Sequence, residues 1–161
     1  MKLSHLGIAV RDLDSAEKLF SSLLGGANVH HEEVADQKVR IASFPLGDAK
    51  VELTQPLSDD SPISKFLDKR GEGIHHLAFE VDDVAAELAR LKARGFQLID
   101  EKPRSGSHGM QIAFLHPKST NGVLIELCQT ENPLLKKVGA GGGPLRAESP
   151  HPGPLPGGEG V

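Results

Sequence analysis

Apolar and polar residues alternate at the start of the chain, with Leu6, Ile8 and Val10 on one face and His5, Gly7 and Ala9 on the other. That two-residue period predicts a half-buried strand. A helical period follows, in which Ala16, Leu19, Phe20, Leu23 and Leu24 recur on one side. Asp14 and Glu17 give a capping-box pattern at the helix start, and Gly25 suits its end. Strand-like segments then run over about residues 29–34, 39–44 and 50–54.

The same order returns in the second half. Leu77, Phe79 and Val81 alternate with His76, Ala78 and Glu80; Val84, Leu88 and Leu91 follow at helical spacing, and Gly95 closes the run. Strand-like segments come next at about 97–100, 110–115 and 123–128. His76 follows His5 by 71 positions and Glu126 follows Glu52 by 74, the surplus falling in one loop, where Phe44-Pro45-Leu46-Gly47 becomes the longer run from His116 to Gly122. Between the copies, Ser61 and Pro62 mark the start of a short linking helix. The expected fold is α+β: two tandem βαβββ modules forming a cupped mixed sheet around a metal site. Module one spans about 1–57, the linking helix about 60–70 and module two about 73–131. Residues 132–161 are rich in Gly and Pro and are expected to be a disordered tail. The run Gly141-Gly142-Gly143 lacks the Lys-Ser/Thr of a phosphate loop.

Alternation also sorts the chemistry. On the first strand of each copy the large residues face the helix, and His5 or His76 faces away beside small neighbours. On the last strand, Val51 and Leu53, or Ile125 and Leu127, face the helix, whereas Glu52 and Thr54, or Glu126 and Cys128, face away. Each module thus sends one His and one Glu to its helix-free face. Two sheets side by side would converge two imidazoles and two carboxylates, a donor set suited to divalent Co, Mn, Fe, Ni or Zn. His75, one position from His76, is expected on the opposite face as core or support. His30-His31-Glu32-Glu33 reads as a solvated edge, and Cys128 as a buried filler.

Composition narrows the picture. Six Phe with no Trp or Tyr imply an aliphatic core, and a net charge of −4 with no long basic run argues against a nucleic-acid partner. The single cysteine, Cys128, excludes an intramolecular disulfide. The chain opens directly into a strand pattern and has no long apolar span, so a soluble cytoplasmic protein with no membrane partner is expected.

Several segments carry a family likeness: Val51-Glu52-Leu53 with Pro56-Leu57, Asp60-Ser61-Pro62-Ile63, Gly71-Glu72-Gly73-Ile74-His75-His76-Leu77-Ala78-Phe79, and Phe114-Leu115-His116-Pro117-Lys118 followed by Gly122-Val123-Leu124-Ile125-Glu126-Leu127. In these the chain resembles the vicinal oxygen chelate (glyoxalase/bleomycin resistance/dioxygenase) superfamily and, within it, the methylmalonyl-CoA epimerases, over about residues 2–129. The resemblance implies His5, His76 and Glu126 as metal ligands, Glu52 as a fourth, and Glu126 as the acid–base group. It implies a divalent cation, Co2+ foremost with Mn2+, Ni2+, Zn2+ or Fe2+ as alternatives. It further implies an acyl-CoA substrate, proton exchange at its alpha carbon through an enolate, a homodimer, and a place in propionate metabolism. Some of these epimerases carry a second acid–base glutamate in the third strand, where this chain has Ile41. Lys65, Lys69, Arg70, Lys102, Arg104 and Lys118 are candidates to meet the CoA phosphates. A glyoxalase-type lyase, a ring-cleaving dioxygenase and a metal-free binding module are the competing readings. The His116-Pro117-Lys118 loop counts against the first two, and the presence of all four ligand types against the third.

Overall fold

The computed structural model describes residues 1–26 and 28–130; the expected tail lies outside them. Module one is β1 (Lys2–Ala9), α1 (Leu13–Leu24), β2 (His30–Val34), β3 (Val39–Leu46) and β4 (Ala49–Pro56). Helix α2 (Pro62–Arg70) links it to β5 (Gly73–Glu80), α3 (Val84–Ala93), β6 (Arg104–Ser105), β7 (Met110–Leu115) and β8 (Ile125–Thr130). The strands form one mixed sheet in the order β2-β3-β4-β1-β5-β8-β7-β6. The first strand of each module pairs parallel with its own last strand, and the modules meet where β1 and β5 pair antiparallel. Duplication therefore places β4, β1, β5 and β8 side by side at the centre of the sheet.

Both module helices cover the face that alternation assigns to them. Val10, Leu13, Ala42, Phe44 and Leu53 are buried with Ala16, Phe20 and Leu24 of α1 against them. Val84, Leu88 and Leu91 of α3 pack with Ala113, Leu115 and Leu127. On the other face, Ile63 and Leu67 of α2 pack with Ala9, Val39 and Ile41, while Met110, Ile112 and Phe114 pack with Ala78 and Cys128. Ser61 caps α2 by accepting from the Ile63 amide, with Pro62 in the first turn.

Three expectations are corrected. The cap of α1 is Asp12, whose carboxylate accepts from the Asp14 and Ser15 amides; starting the helix at Leu13 lets that side chain, 1% exposed, enter the core. Leu19 and Leu23 are 66% and 72% exposed, because α1 packs through Leu13, Ala16, Phe20 and Leu24, and the other two leucines lie to one side of that stripe. Residues 97–100 run alongside β7 with one isolated bridge, Leu98 to Leu115, and no regular ladder. The Ile99 and Asp100 amides share the Phe114 carbonyl, and the Asp100 carboxylate takes the Phe114 amide. Pro103, which has no amide hydrogen, delays regular pairing to Arg104–Ser105. No helix among the described residues is long and apolar enough to cross a membrane.

Candidate metal centre

Register across the four central strands builds the site. Glu52, Gly7 and His76 stand in one cross-strand row, and Lys50, His5, Ala78 and Glu126 in the next. Each imidazole thus has a residue with little or no side chain directly opposite it, and each carboxylate lies beyond that small residue. A Cβ on Gly7 would fall 2.1 Å from Cε1 of His76, so the ring occupies the space that glycine leaves.

His5, Glu52, His76 and Glu126 are 2%, 2%, 8% and 6% exposed. Nε2 of His5 lies 3.1 Å from Nε2 of His76, 3.5 Å from Oε2 of Glu52 and 3.8 Å from Oε2 of Glu126. Nε2 of His76 is 3.3 Å from that same Glu126 oxygen. Ligands bonded at ~2.1 Å to one cation stand about 3.0–3.5 Å apart, so these separations fit one shared ion. His5, His76 and Glu126 form the set whose donor atoms all lie within 4.8 Å of one another; Glu52 reaches the set through His5.

The outward nitrogens are also held. Ser4 Oγ is 3.1 Å from His5 Nδ1, and Nδ1 of His75 is 3.0 Å from Nδ1 of His76. Such partners fix ring orientation and leave each Nε2 facing inward. Burial, partly offset by the Glu126 charge, lowers the His76 pKa to about 4, so its ring is neutral at pH 7, the form that binds metals. Burial pushes the Glu52 carboxyl up, but His5 and Lys50 outweigh it and hold it below the ordinary carboxylate value. Lys50 Nζ is 3.0 Å from Glu52 Oε1, and Ser43 Oγ donates to the same oxygen at 3.3 Å.

His75 is not on the far face. The ladder runs from Gly7↔His76 to Ile8↔Ile74, leaving His75 as the extra residue of a β-bulge, which turns it to the cavity side. Its ring stands edge-on to Phe66 and His76 at 4.9 and 5.2 Å, and burial lowers its pKa to about 4.

His5, Glu52, His76 and Glu126 line a cavity of about 310 Å³, with walls that include Ile41, Thr54, Phe114 and Ser107. Of the six cations expected near the substrate phosphates, Arg104 alone lines this cavity; its guanidinium lies 5.3 Å from the Phe114 ring centroid. Lys38, missed in the sequence, also lines it and pairs with Asp60. It follows a single turn of 3-10 helix in a left-handed conformation, φ 54°, and belongs to no motif. The 30–33 edge is only partly a solvated edge. His31 pairs with Glu17 at 2.7 Å, but Glu32 reaches across the cupped sheet to accept from the His108 amide at 2.9 Å and to meet its Nδ1 at 3.0 Å. Cys128 is 0% exposed, and burial raises its thiol pKa to about 11.

Residues 4–114 match the family described as the Glyoxalase/Bleomycin resistance protein/Dioxygenase superfamily. The chain is 39% identical to an ethylmalonyl-CoA/methylmalonyl-CoA epimerase of Cereibacter sphaeroides, over 80% of this chain and 97% of that protein. A crystal structure of methylmalonyl-CoA epimerase from Mycobacterium tuberculosis superposes with a TM-score of 0.78 at 42% identity, covering 84% of this chain and 91% of that one. A solved methylmalonyl-CoA epimerase in complex with methylmalonyl-CoA and NH4+ superposes with a TM-score of 0.75 at 37% identity, covering 81% and 94%.

Proposed function

Because the chain belongs to the Glyoxalase/Bleomycin resistance protein/Dioxygenase superfamily, we propose that it is a metal-dependent epimerase that interconverts the (R) and (S) forms of methylmalonyl-CoA. The observation that carries this reading is the closure of His5, His76 and Glu126 on one point in a chain 39% identical to a protein named for that activity. The donor set of two imidazoles and two carboxylates fits a divalent cation, with His5, His76, Glu126 and Glu52 holding it. Co2+ is the first ion to test, before Mn2+, Ni2+, Zn2+ and Fe2+. When bound, the cation supplies Lewis acidity that stabilises negative charge developing on the thioester oxygen.

The chain's own residues do the rest. Glu126, with no Lys or Arg partner among the described residues, takes the alpha proton from one face of the substrate. Phe114 and Ile41 are 9% and 5% exposed and give the cavity dry walls, which strengthen electrostatic effects inside it. Ile41 cannot carry a proton, so return on the opposite face falls to another group or to water. Arg104 and Lys38 supply positive charge for an anionic acyl-CoA.

The proposal extends to a cytoplasmic homodimer acting in propionate metabolism. Leu19, Leu23 and Ile74, exposed at 66%, 72% and 61%, offer apolar surface for the second copy, which sedimentation at several concentrations would reveal. The catalytic test is epimerisation of (R)-methylmalonyl-CoA and, as a second substrate, ethylmalonyl-CoA by the metal-loaded protein. Turnover of lactoylglutathione with neither CoA ester altered would refute it.

A further inference from the structure

The two glutamates that duplication makes equivalent differ in what stands behind them. Two residues before Glu126 on the chain is Leu124; two residues before Glu52 is Lys50. Residues two apart in a strand share a face, so β4 carries an ammonium group beside its carboxylate. Lys50 Nζ lies 3.0 Å from Oε1 of Glu52, with side chains 25% and 3% exposed. Lys50 is absent from the lining of the cavity that holds the ligand set. It lines a separate cleft of about 300 Å³ with Ser4, Glu80 and Thr130, so it approaches Glu52 from outside the substrate's space.

The carboxylate is thereby divided. Oε1 receives Lys50 and Ser43, whereas Oε2 faces His5 Nε2 at 3.5 Å. Among the described residues, the ion-pair contacts of Glu126 are with the two imidazoles, both through Oε2. Charge points the same way. Two neutral imidazoles and two carboxylates would fully neutralise a divalent cation, and an ammonium 3.0 Å from one carboxylate restores one positive charge beside a site that must attract an anionic substrate.

We propose that Lys50 is a positioning residue for the metal centre: it holds Oε1 of Glu52, presents Oε2 alone to the cation, and keeps the centre net positive. The inference rests on the metal-centre reading above, and its test separates the two. Co2+ binding is measured by calorimetry on the full-length wild type and on Lys50→Met, Lys50→Arg, Glu52→Gln and the Lys50→Met/Glu52→Gln double variant, with the visible absorption of bound Co2+ recorded for each. Losing an outer partner of a ligand typically weakens metal binding about 10–100-fold. Lys50→Met should show that loss and an altered Co2+ spectrum, and Lys50→Arg should restore most of both. In the Glu52→Gln background, Lys50→Met should add less than about a further twofold, because the carboxylate it acts through is gone. Unchanged affinity and spectrum in Lys50→Met, or an undiminished loss in the Glu52→Gln background, overturns the role of Lys50 while leaving the metal centre standing. A wild-type protein that binds no Co2+ and no Zn2+ overturns both.

Discussion

The ring of His76 lies where the side chain of residue 7 would be: a Cβ on Gly7 would come within 2.1 Å of Cε1 and 2.4 Å of Nδ1 of that ring. Both atoms belong to a buried imidazole hemmed in by His5, His75 and Phe114, so the ring has little room to retreat. Gly7→Ala should therefore displace His76 and cost at least about tenfold in metal affinity, with overpacking destabilising the fold by about 1–3 kcal/mol. Calorimetric metal titration beside a thermal melt checks both effects; wild-type metal affinity in Gly7→Ala would contradict the geometry.

Removing either ring should be more specific than crowding it. His5→Ala and His76→Ala are expected to abolish tight metal binding and leave the circular dichroism spectrum of the sheet unchanged. Elemental analysis showing full metal occupancy in both variants would count against the ligand assignment.

Glu52 and Glu126 should separate in kinetics. An amide can coordinate but cannot carry a proton at neutral pH. Glu52→Gln should keep the metal and most of the turnover. Glu126→Gln should lose turnover by about two to four orders of magnitude, the range for loss of a general acid–base group. Equal losses in the two variants, with metal retained, would mean that both glutamates carry protons.

The metal-free protein should lose stability as the pH falls from about 6.5 to about 4. The His75 and His76 pKa values are lowered from 6.5 to about 4 by burial. Above pH 6.5 the rings are neutral in both folded and unfolded chains and contribute nothing to the pH dependence. Below it the unfolded chain takes up protons that the folded chain refuses, so stability drops with pH until the folded rings also protonate. At 1.36 kcal/mol per unit the loss is up to about 3 kcal/mol for each ring. Denaturant titrations with chelator between pH 7 and 4 measure it, and a flat profile would show that the rings are not held neutral.

The central architecture was legible because duplication repeats the same signals at a nearly fixed offset. His5 with His76 and Glu52 with Glu126 recur on the same strand faces, and strand alternation is enough to predict their convergence. What alternation could not supply was any departure from alternation. The face of His75 follows from a bulge opposite Gly7 and Ile8, which no local pattern marks. Lys38 reaches the cavity from a left-handed position after a 3-10 turn, and Glu32 finds His108 across 76 residues of chain. The exposed leucines of α1 show a different limit. A helical period says which residues share a side, whereas the width of the buried stripe depends on how closely the sheet approaches.

Proton exchange at the alpha carbon is the defining step of the proposed reaction. (R)-Methylmalonyl-CoA incubated in heavy water with the Co2+-loaded protein should incorporate deuterium at that carbon and approach an equal mixture of epimers. Chelation of the metal, or Glu126→Gln, should slow both processes together. A protein that binds Co2+ tightly yet leaves the alpha proton unexchanged and the configuration fixed would not be an epimerase of this substrate.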